Sequence, residues 1–305
     1  MNSRKRVSIY SVFFAVLLLF TTQQSVFSWG KEGHVYINKV AVQKIPKTLP
    51  SFFVQGVEEI VYLGPEPDRW RQASEYTLKN AQEPDHYINL EKIRDIGEIP
   101  KGRYTFYKQL YEKRALAANN KDDWLPESIG LLPYITIEVY DRLKVAFREY
   151  RALQESGQST ASVERVIVFY AGWLSHYVAD GANPLHVTIH YRGWVGDNPH
   201  GYTTERNIHS DFEIRFVSQN ITIQGFADLV NAPIQLANPF DDFMKFLRES
   251  NKQVERVYQL YKARGFDGNG SKDALEFTNK RLAAGCQMLL NLWYTAWVES
   301  GKSDQ

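Results

Sequence analysis

The segment from Val163 to Asp180 constrains the fold of this chain more than any other, because its apolar residues lie almost all round a helix. Its sequence is VERVIVFYAGWLSHYVAD. A helix without a polar face has to be buried on every side by other elements. Strand signals are weak along the chain, whereas several other segments have apolar residues at helical spacing. We therefore expect an all-α fold, a single multi-helix domain packed around this central helix.

Further helices are predicted on both sides of the central one. Pro133 suits the first turn of a long helix, and the ranges 241–262 and 272–298 show helical spacing of apolar residues. The central helix is expected to end where Gly181 and Pro184 follow it.

The first 28 residues are typical of a secretory signal peptide. Three basic residues, Arg4 to Arg6, precede an apolar run from Ile9 to Phe20. That run is about a dozen residues long, whereas a membrane-spanning helix needs roughly 20. We expect residues 1–28 to be removed near Ser28, residues 29–305 to form the mature domain, and the protein to be secreted or periplasmic.

Charge and cysteine content limit the classes of partner and of cross-link. Removal of residues 1–28 would change the formal charge from +1 to −2, so no general attraction to nucleic acid or anionic membrane is expected. Cys286 is the single cysteine, which excludes an intrachain disulfide. An exported domain of this size must then be held by its core or by another cross-link, such as metal. Asn220 and Asn269 fit glycosylation tripeptides, which are common by chance.

Histidines and carboxylates recur at spacings that suit metal binding. His176 and Asp180 are four residues apart at the end of the central helix, and His186 follows in the next turn. His209 and Glu213 are again four apart, so each pair shares a helical face. A surface salt bridge is the ordinary alternative for one such pair alone. Taken together, the two pairs and His186 indicate a site for several metal ions.

These residues, with others upstream, resemble the superfamily that joins bacterial zinc-dependent phospholipase C to the fungal and plant single-strand-specific nucleases. The upstream residues are the tryptophan and histidine of WGKEGH, the aspartate and arginine of PEPDRWR, and the histidine of EPDHYINL. The resemblance runs in order from Trp29 to Glu213. It implies a helical domain built around a buried site for three zinc ions.

The resemblance also implies a ligand set. One zinc would be held by Trp29, through its free amino group and carbonyl oxygen, and by His34. Asp180 would bridge to a second zinc, and His186 would begin the set for the third. The full set of expected ligands is Trp29, His34, Asp68, His86, His176, Asp180, His186, His209 and Glu213.

This ligand chemistry suits hydrolysis of a phosphodiester. Three Zn²⁺ ions would bring a charge of +6 against −3 from the three carboxylates, so the centre would attract an anion. Zinc lowers the pKa of bound water to about 7. We expect Asp68 to orient or deprotonate the attacking water and Arg71 to neutralise a phosphate oxygen, although Arg71 could equally form a structural ion pair.

The substrate branch stays open at this point. The short spacing from Trp29 to His34 and the pair of Asp68 and Arg71 are more similar to the nucleases, whereas Glu213 is more similar to the phospholipases. The expected substrate is therefore a phospholipid head group or single-stranded nucleic acid. The glycine- and aromatic-rich range 187–206 is predicted to be a long loop at the mouth of the site.

Two other classes of protein remain possible from the sequence. One is a non-catalytic secreted protein in which zinc replaces disulfides as a structural cross-link. The other is a membrane-tethered binding module that keeps residues 1–28, in which case Trp29 would have no free amino group. No partner protein is implied, and the sequence does not give the oligomeric state.

Overall fold

The computed structural model describes residues 29–302 apart from the side chain of Asp95. The expected signal peptide, residues 1–28, lies outside the described residues. The α-helices are α1 (Gly30–Gln43), α2 (Ser51–Gln55), α3 (Val57–Leu63), α4 (Glu66–Arg69), α5 (Tyr76–Gln82), α6 (Arg103–Leu116), α7 (Pro126–Ile129), α8 (Leu132–Glu155), α9 (Ala161–Ala182), α10 (Ile208–Ser210), α11 (Val217–Asn220), α12 (Pro239–Asn251), α13 (Val254–Lys262) and α14 (Lys272–Ser300).

Shorter helical turns connect several of these helices. A π-helical turn joins α10 to α11 over Asp211–Phe216. The 3₁₀ turns are Glu83–His86, Arg94–Ile96, Lys121–Trp124, Pro184–His186, Ile223–Gly225 and Ala227–Leu229. Within residues 29–302 no strand forms, and one isolated bridge joins Tyr191 to Gly193. The expected all-α fold is confirmed.

The predicted central helix is α9, and its second half lies at the centre of the domain. α8, α14 and α3 pack along it, and α1 crosses between α3 and α14. Every residue from 174 to 182 is buried. The first half is different, because Val166 and Phe169 remain 42% and 39% exposed. Burial on all sides therefore holds only for the half of α9 that carries His176 and Asp180.

The expectation that Gly181 helps to end the central helix is wrong, because α9 continues through it to Ala182. A Cβ atom at Gly181 would lie 2.7 Å from Leu247 Cδ2 and 3.2 Å from Phe243 Cζ, both on α12. Gly181 therefore allows α12 to approach α9 closely. Pro184 does follow the helix end, and it begins the 3₁₀ turn that carries His186.

The range 241–262 forms two helices instead of the one expected. α12 ends at Asn251 and α13 begins at Val254. The side-chain amide of Asn251 donates to Glu91 Oε1 at 2.7 Å and to the Val187 carbonyl at 2.8 Å. The break thus lies where Asn251 contacts the segment that follows His186.

The last helix, α14, carries the single cysteine into the core. Cys286 is fully buried, and burial raises the pKa of its thiol. Among residues 29–302, no helix combines the length and the apolar character needed to span a bilayer.

Candidate metal centre

Six separate segments converge on one buried region beside the C-terminal half of α9. α9 contributes His176 and Asp180, α1 contributes His34, and α4 contributes Asp68. The remaining side chains come from two 3₁₀ turns and from the helix formed by α10 and the π-helical turn; they are His86, His186, His209 and Glu213. All eight side chains are buried. They form three groups, each with ligand atoms within 4.8 Å of one another.

The first group consists of His34, His176 and Asp180. His34 Nε2 lies 3.6 Å from Asp180 Oδ1. The imidazole rings of His34 and His176 stack with 4.3 Å between their centroids. All three side chains of this group have no solvent exposure.

The second group consists of Asp68, His86 and His176. His176 Nε2 lies 2.9 Å from His86 Nδ1, and Asp68 Oδ1 lies 3.8 Å from the same His86 nitrogen. Asp180 Oδ2 is also near it, at 3.1 Å. The two oxygens of Asp180 therefore face the first and second groups, as a bridging carboxylate would.

The third group consists of His186, His209 and Glu213. Glu213 Oε2 lies 2.9 Å from His209 Nε2 and 3.3 Å from His186 Nε2. The two imidazole Nε2 atoms are 3.1 Å apart. Tetrahedral ligands at zinc–nitrogen distances of 2.0–2.1 Å lie about 3.3 Å from one another, so the spacing fits one ion.

Backbone carbonyls fix the orientation of three of these imidazoles. The acceptor of His176 Nδ1 is the Gly64 carbonyl at 2.8 Å, and that of His186 Nδ1 is the His86 carbonyl at 2.7 Å. His209 Nδ1 forms a hydrogen bond with the Tyr191 carbonyl oxygen at 2.8 Å. A carbonyl oxygen can only accept, so each Nδ1 carries the proton and each Nε2 presents a lone pair to the centre. Two such lone pairs face each other between His186 and His209, an arrangement that a cation between them stabilises.

Further polar atoms at the centre fit the same interpretation. Asp68 Oδ2, His86 Nε2 and Glu213 Oε1 are buried without a hydrogen-bond partner among residues 29–302. Native proteins leave few buried polar atoms unsatisfied, and bound ions are one reason for exceptions. The donor set of imidazole nitrogens and carboxylate oxygens is the set that zinc takes in proteins.

Without cations, burial penalises the charged forms of these groups. Burial raises the pKa of Asp180 to about 8, although His186 and Arg71 oppose the shift. Burial lowers the pKa of His176 to about 4. For Glu213, burial would raise the pKa, but the charges and hydrogen bonds of His209 and His186 outweigh it and lower the pKa. Ionised carboxylates and neutral imidazoles are the forms that ligate a metal ion, so binding of a cation would oppose the upward shift of the Asp180 pKa.

Trp29 lies at the edge of the third group. Its backbone nitrogen is 3.1 Å from Glu213 Oε2, and its carbonyl accepts from the amide of Gly33 at 3.1 Å. The indole is buried, donates from Nε1 to the Ala179 carbonyl at 2.7 Å and packs against Phe212. The structure therefore places the Trp29 backbone nitrogen beside Glu213 of the third group. The expected sharing of a zinc ion between Trp29 and His34 stays a prediction.

Arg71 lies between the centre and solvent. Its guanidinium forms an ion pair with Asp68 and retains 15% exposure. It lines a cleft of ≈720 Å³ that also reaches His86, His186 and His209. The cleft therefore gives a solute access to the second and third groups, with an arginine at the entrance.

The loop over residues 187–206 has two parts with different surroundings. Trp194 stacks on His190 with 4.1 Å between ring centroids and also packs against Tyr202 and Tyr258. These aromatic residues fasten the loop to the domain. Tyr191 is 42% exposed and lines the cleft beside His209.

Sequence reasoning missed the residues that hold the expected ligands in place. Asn183 Nδ2 donates to Glu213 Oε2 at 2.9 Å, and the carbonyls of Gly64 and Tyr191 orient two imidazoles. Asn183 had a usable signal, because it lies between Asp180 and His186 in the motif. The carbonyls had none, because every residue has one.

Comparison of the sequence with protein-family models gives no match, and comparison with curated proteins gives none either. The structure itself shows three buried groups that could hold metal ions, an arrangement compatible with a multi-zinc site.

Proposed function

We propose that the protein is an exported, zinc-dependent phosphodiester hydrolase of the phospholipase C or nuclease type. The observation that carries this proposal is the opening of buried metal-binding groups onto a cleft beside an arginine. Structural zinc sites are closed, whereas catalytic sites keep a position accessible to water and substrate.

Zinc at this centre would supply Lewis-acid chemistry, polarising a phosphate oxygen and lowering the pKa of bound water. The chain supplies the remaining functions. The two oxygens of Asp180 face the first and second groups, and the ion pair with Asp68 positions Arg71 at the cleft. The Arg71 guanidinium is placed to bind a non-bridging phosphate oxygen and to stabilise the charge that develops there.

Charges along the cleft favour a substrate with one phosphodiester over a long polynucleotide. Besides Arg71, the basic residues that line it are Lys92 and Arg192, and Lys92 pairs with Asp123 at 2.7 Å. Glu83 and Glu127 also line the cleft. Grooves that follow a nucleic-acid backbone are positively charged along their length, whereas this cleft has balanced charge.

The alternative is a secreted protein with a purely structural zinc cluster. The absence of any possible disulfide supports a structural contribution from metal, because residues of six segments meet at the centre. A structural role alone gives no reason for Arg71 to lie at the mouth of an open cleft. We therefore rank this alternative second.

The test uses protein that begins at Trp29, with metal content measured by emission spectrometry. We expect three zinc ions per chain and hydrolysis of bis(p-nitrophenyl) phosphate. Phosphatidylcholine and single-stranded DNA, assayed in parallel, then separate the two branches. Full zinc occupancy without hydrolysis of any of the three would support the structural alternative, and absence of zinc would contradict both functions.

A further inference from the structure

Asp85 lies next to a metal-centre histidine but faces away from the centre. Its carboxylate is buried, and it is in the same 3₁₀ turn as His86. Arg103, the first residue of α6, donates from one terminal nitrogen to Asp85 Oδ1 at 3.2 Å. The same guanidinium donates from Nε and from its other terminal nitrogen to Glu138 of α8, at 2.8 and 3.1 Å. Arg103 thus joins the turn to two helices.

The turn contributes to two of the three metal-binding groups. The imidazole of His86 belongs to the second group, with His176 Nε2 2.9 Å away. The carbonyl of His86 accepts from His186 Nδ1 at 2.7 Å and thereby orients an imidazole of the third group. A displacement of this one residue would move a ligand of one ion and the orienting partner of a ligand of another.

Two backbone hydrogen bonds join the turn and the residue after it to the start of α8. The Pro84 carbonyl accepts from the amide of Leu131 at 2.7 Å, and the Tyr87 carbonyl accepts from the amide of Leu132 at 3.1 Å. Asp85 supplies the side-chain connection at the middle of the turn. Asp85 is buried, so removal of Arg103 would leave its carboxylate without the charged partner, whereas Arg103 would keep Glu138 if Asp85 were replaced.

We propose that Asp85 and Arg103 form a positioning pair that sets the place of His86 and couples the second and third metal sites. This inference rests on the proposed zinc centre. Neither residue touches the expected ions or the substrate. Partners of metal ligands commonly change metal affinity about 10- to 100-fold when they are removed.

The test compares Arg103→Met, Asp85→Asn and Arg103→Lys with a control, Arg151→Met. Arg151 also ties two long helices together, because it donates to Ser300 and to the Trp297 carbonyl from α8. It has no contact with the metal-centre residues. Zinc affinity is measured by competition with a chromogenic chelator, and ligand geometry by the absorption spectrum of the Co²⁺-substituted protein. Thermal unfolding of the metal-free variants measures structural damage separately.

We expect Arg103→Met and Asp85→Asn to lower the affinity for two of the three zinc ions together, by about 10-fold or more. Both variants should also alter the absorption spectrum of the Co²⁺-substituted protein. Arg103→Lys should restore part of the affinity. Arg151→Met should lower thermal stability while three zinc ions remain bound. Equal zinc affinity in Arg103→Met and wild type would overturn the inference alone. Weaker binding of only one zinc ion would also overturn it. So would a loss of zinc affinity no larger in Arg103→Met than in Arg151→Met when the two variants have the same thermal stability. Wild-type protein without zinc would overturn the metal centre itself.

Discussion

At the residue scale, the centre is defined by which atom of each side chain faces inward. The two oxygens of Asp180 point to different groups, and the backbone partners of His176, His186 and His209 leave Nε2 available in each ring. Residue type and spacing were enough to select these residues as candidate metal ligands, because few side chains bind zinc and i, i+4 pairs share a helix face. The geometry of their partners required the folded chain.

Replacement of Asp180 tests the bridging geometry. We expect Asp180→Asn to reduce zinc content from three ions toward one, because the amide lacks the charge that faces both groups. Emission spectrometry of the purified protein measures this. The control is Glu164→Gln on the first turn of the same helix, which should keep three ions. Full zinc content in Asp180→Asn would show that the carboxylate does not bridge.

Arg71 and Arg69 form a matched pair for testing phosphate recognition. Both pair with a carboxylate three residues earlier, but Arg69 pairs with Glu66 over the ring of Tyr62, and only Arg71 lines the cleft. Removing one hydrogen-bond donor that stabilises negative charge in the transition state lowers kcat by about 10²–10³-fold. We expect Arg71→Met to lose about that factor with zinc content unchanged, and Arg69→Met to stay near wild type. Equal kinetics of the two variants would make Arg71 a structural residue.

At the element scale, the chain positions the centre by joining irregular segments to long helices. Glu91 is one such junction. It accepts from Thr188 Oγ1 at 2.7 Å, from the amide of Ile189 at 3.0 Å and from Asn251 at 2.7 Å. These bonds fasten the start of the 187–206 loop, whose Tyr191 carbonyl orients His209.

Truncation of Glu91 should therefore affect both stability and the third metal site. Glu91→Ala leaves three donors unpaired, at a cost of about 1–3 kcal/mol each if they stay dry. We expect a clear fall in the urea midpoint and weaker binding of one zinc ion. Glu249→Ala changes an exposed residue of α12 that pairs with Lys252, and it should leave the urea midpoint near that of wild type. If Glu91→Ala changed the urea midpoint and zinc binding as little as Glu249→Ala, Glu91 would not be a junction between the loop and the helices.

Long helices were predictable from apolar spacing, whereas their interruptions were not. α9 and α14 lie close to their expected ranges, and α8 begins with Pro133 in its first turn, as predicted. The break after Asn251 depends on contacts with Glu91 and Val187, which are remote in sequence. The close approach of α12 to Gly181, which the missing side chain allows, was likewise not visible in the sequence.

At the scale of the whole molecule, the candidate metal centre joins the first helix of the described chain to segments as far along as the π-helical turn that ends at Phe216. α1, α4, α9 and the segment from α10 to the π-helical turn all contribute side chains. The all-α architecture was predictable from sequence because strand signals are weak while several segments have apolar residues at helical spacing. The convergence of six segments followed only in part, through the resemblance to three-zinc enzymes.

Removal of metal should destabilise the whole domain. Without cations the buried carboxylates and imidazoles remain close together, and no positive charge of a bound ion offsets the cost of burying them. A ligand present at 1,000 times its Kd stabilises the folded state by about 4 kcal/mol per site. We expect dialysis against a chelator to lower the melting temperature by several degrees or more and zinc to restore it, as followed by calorimetry. Unchanged melting in metal-free protein would contradict a structural contribution from the centre.

Cys286 has a consequence for the conditions that the domain tolerates. Its thiol is buried in α14, and the chain has no second cysteine with which it could pair. Reducing agents and oxidised glutathione should therefore leave the molecule unaffected, and folding would need no isomerase to sort sulfur pairs. With the proposed zinc centre, the stability of this domain would depend on the concentration of free zinc and not on the redox potential of the solution.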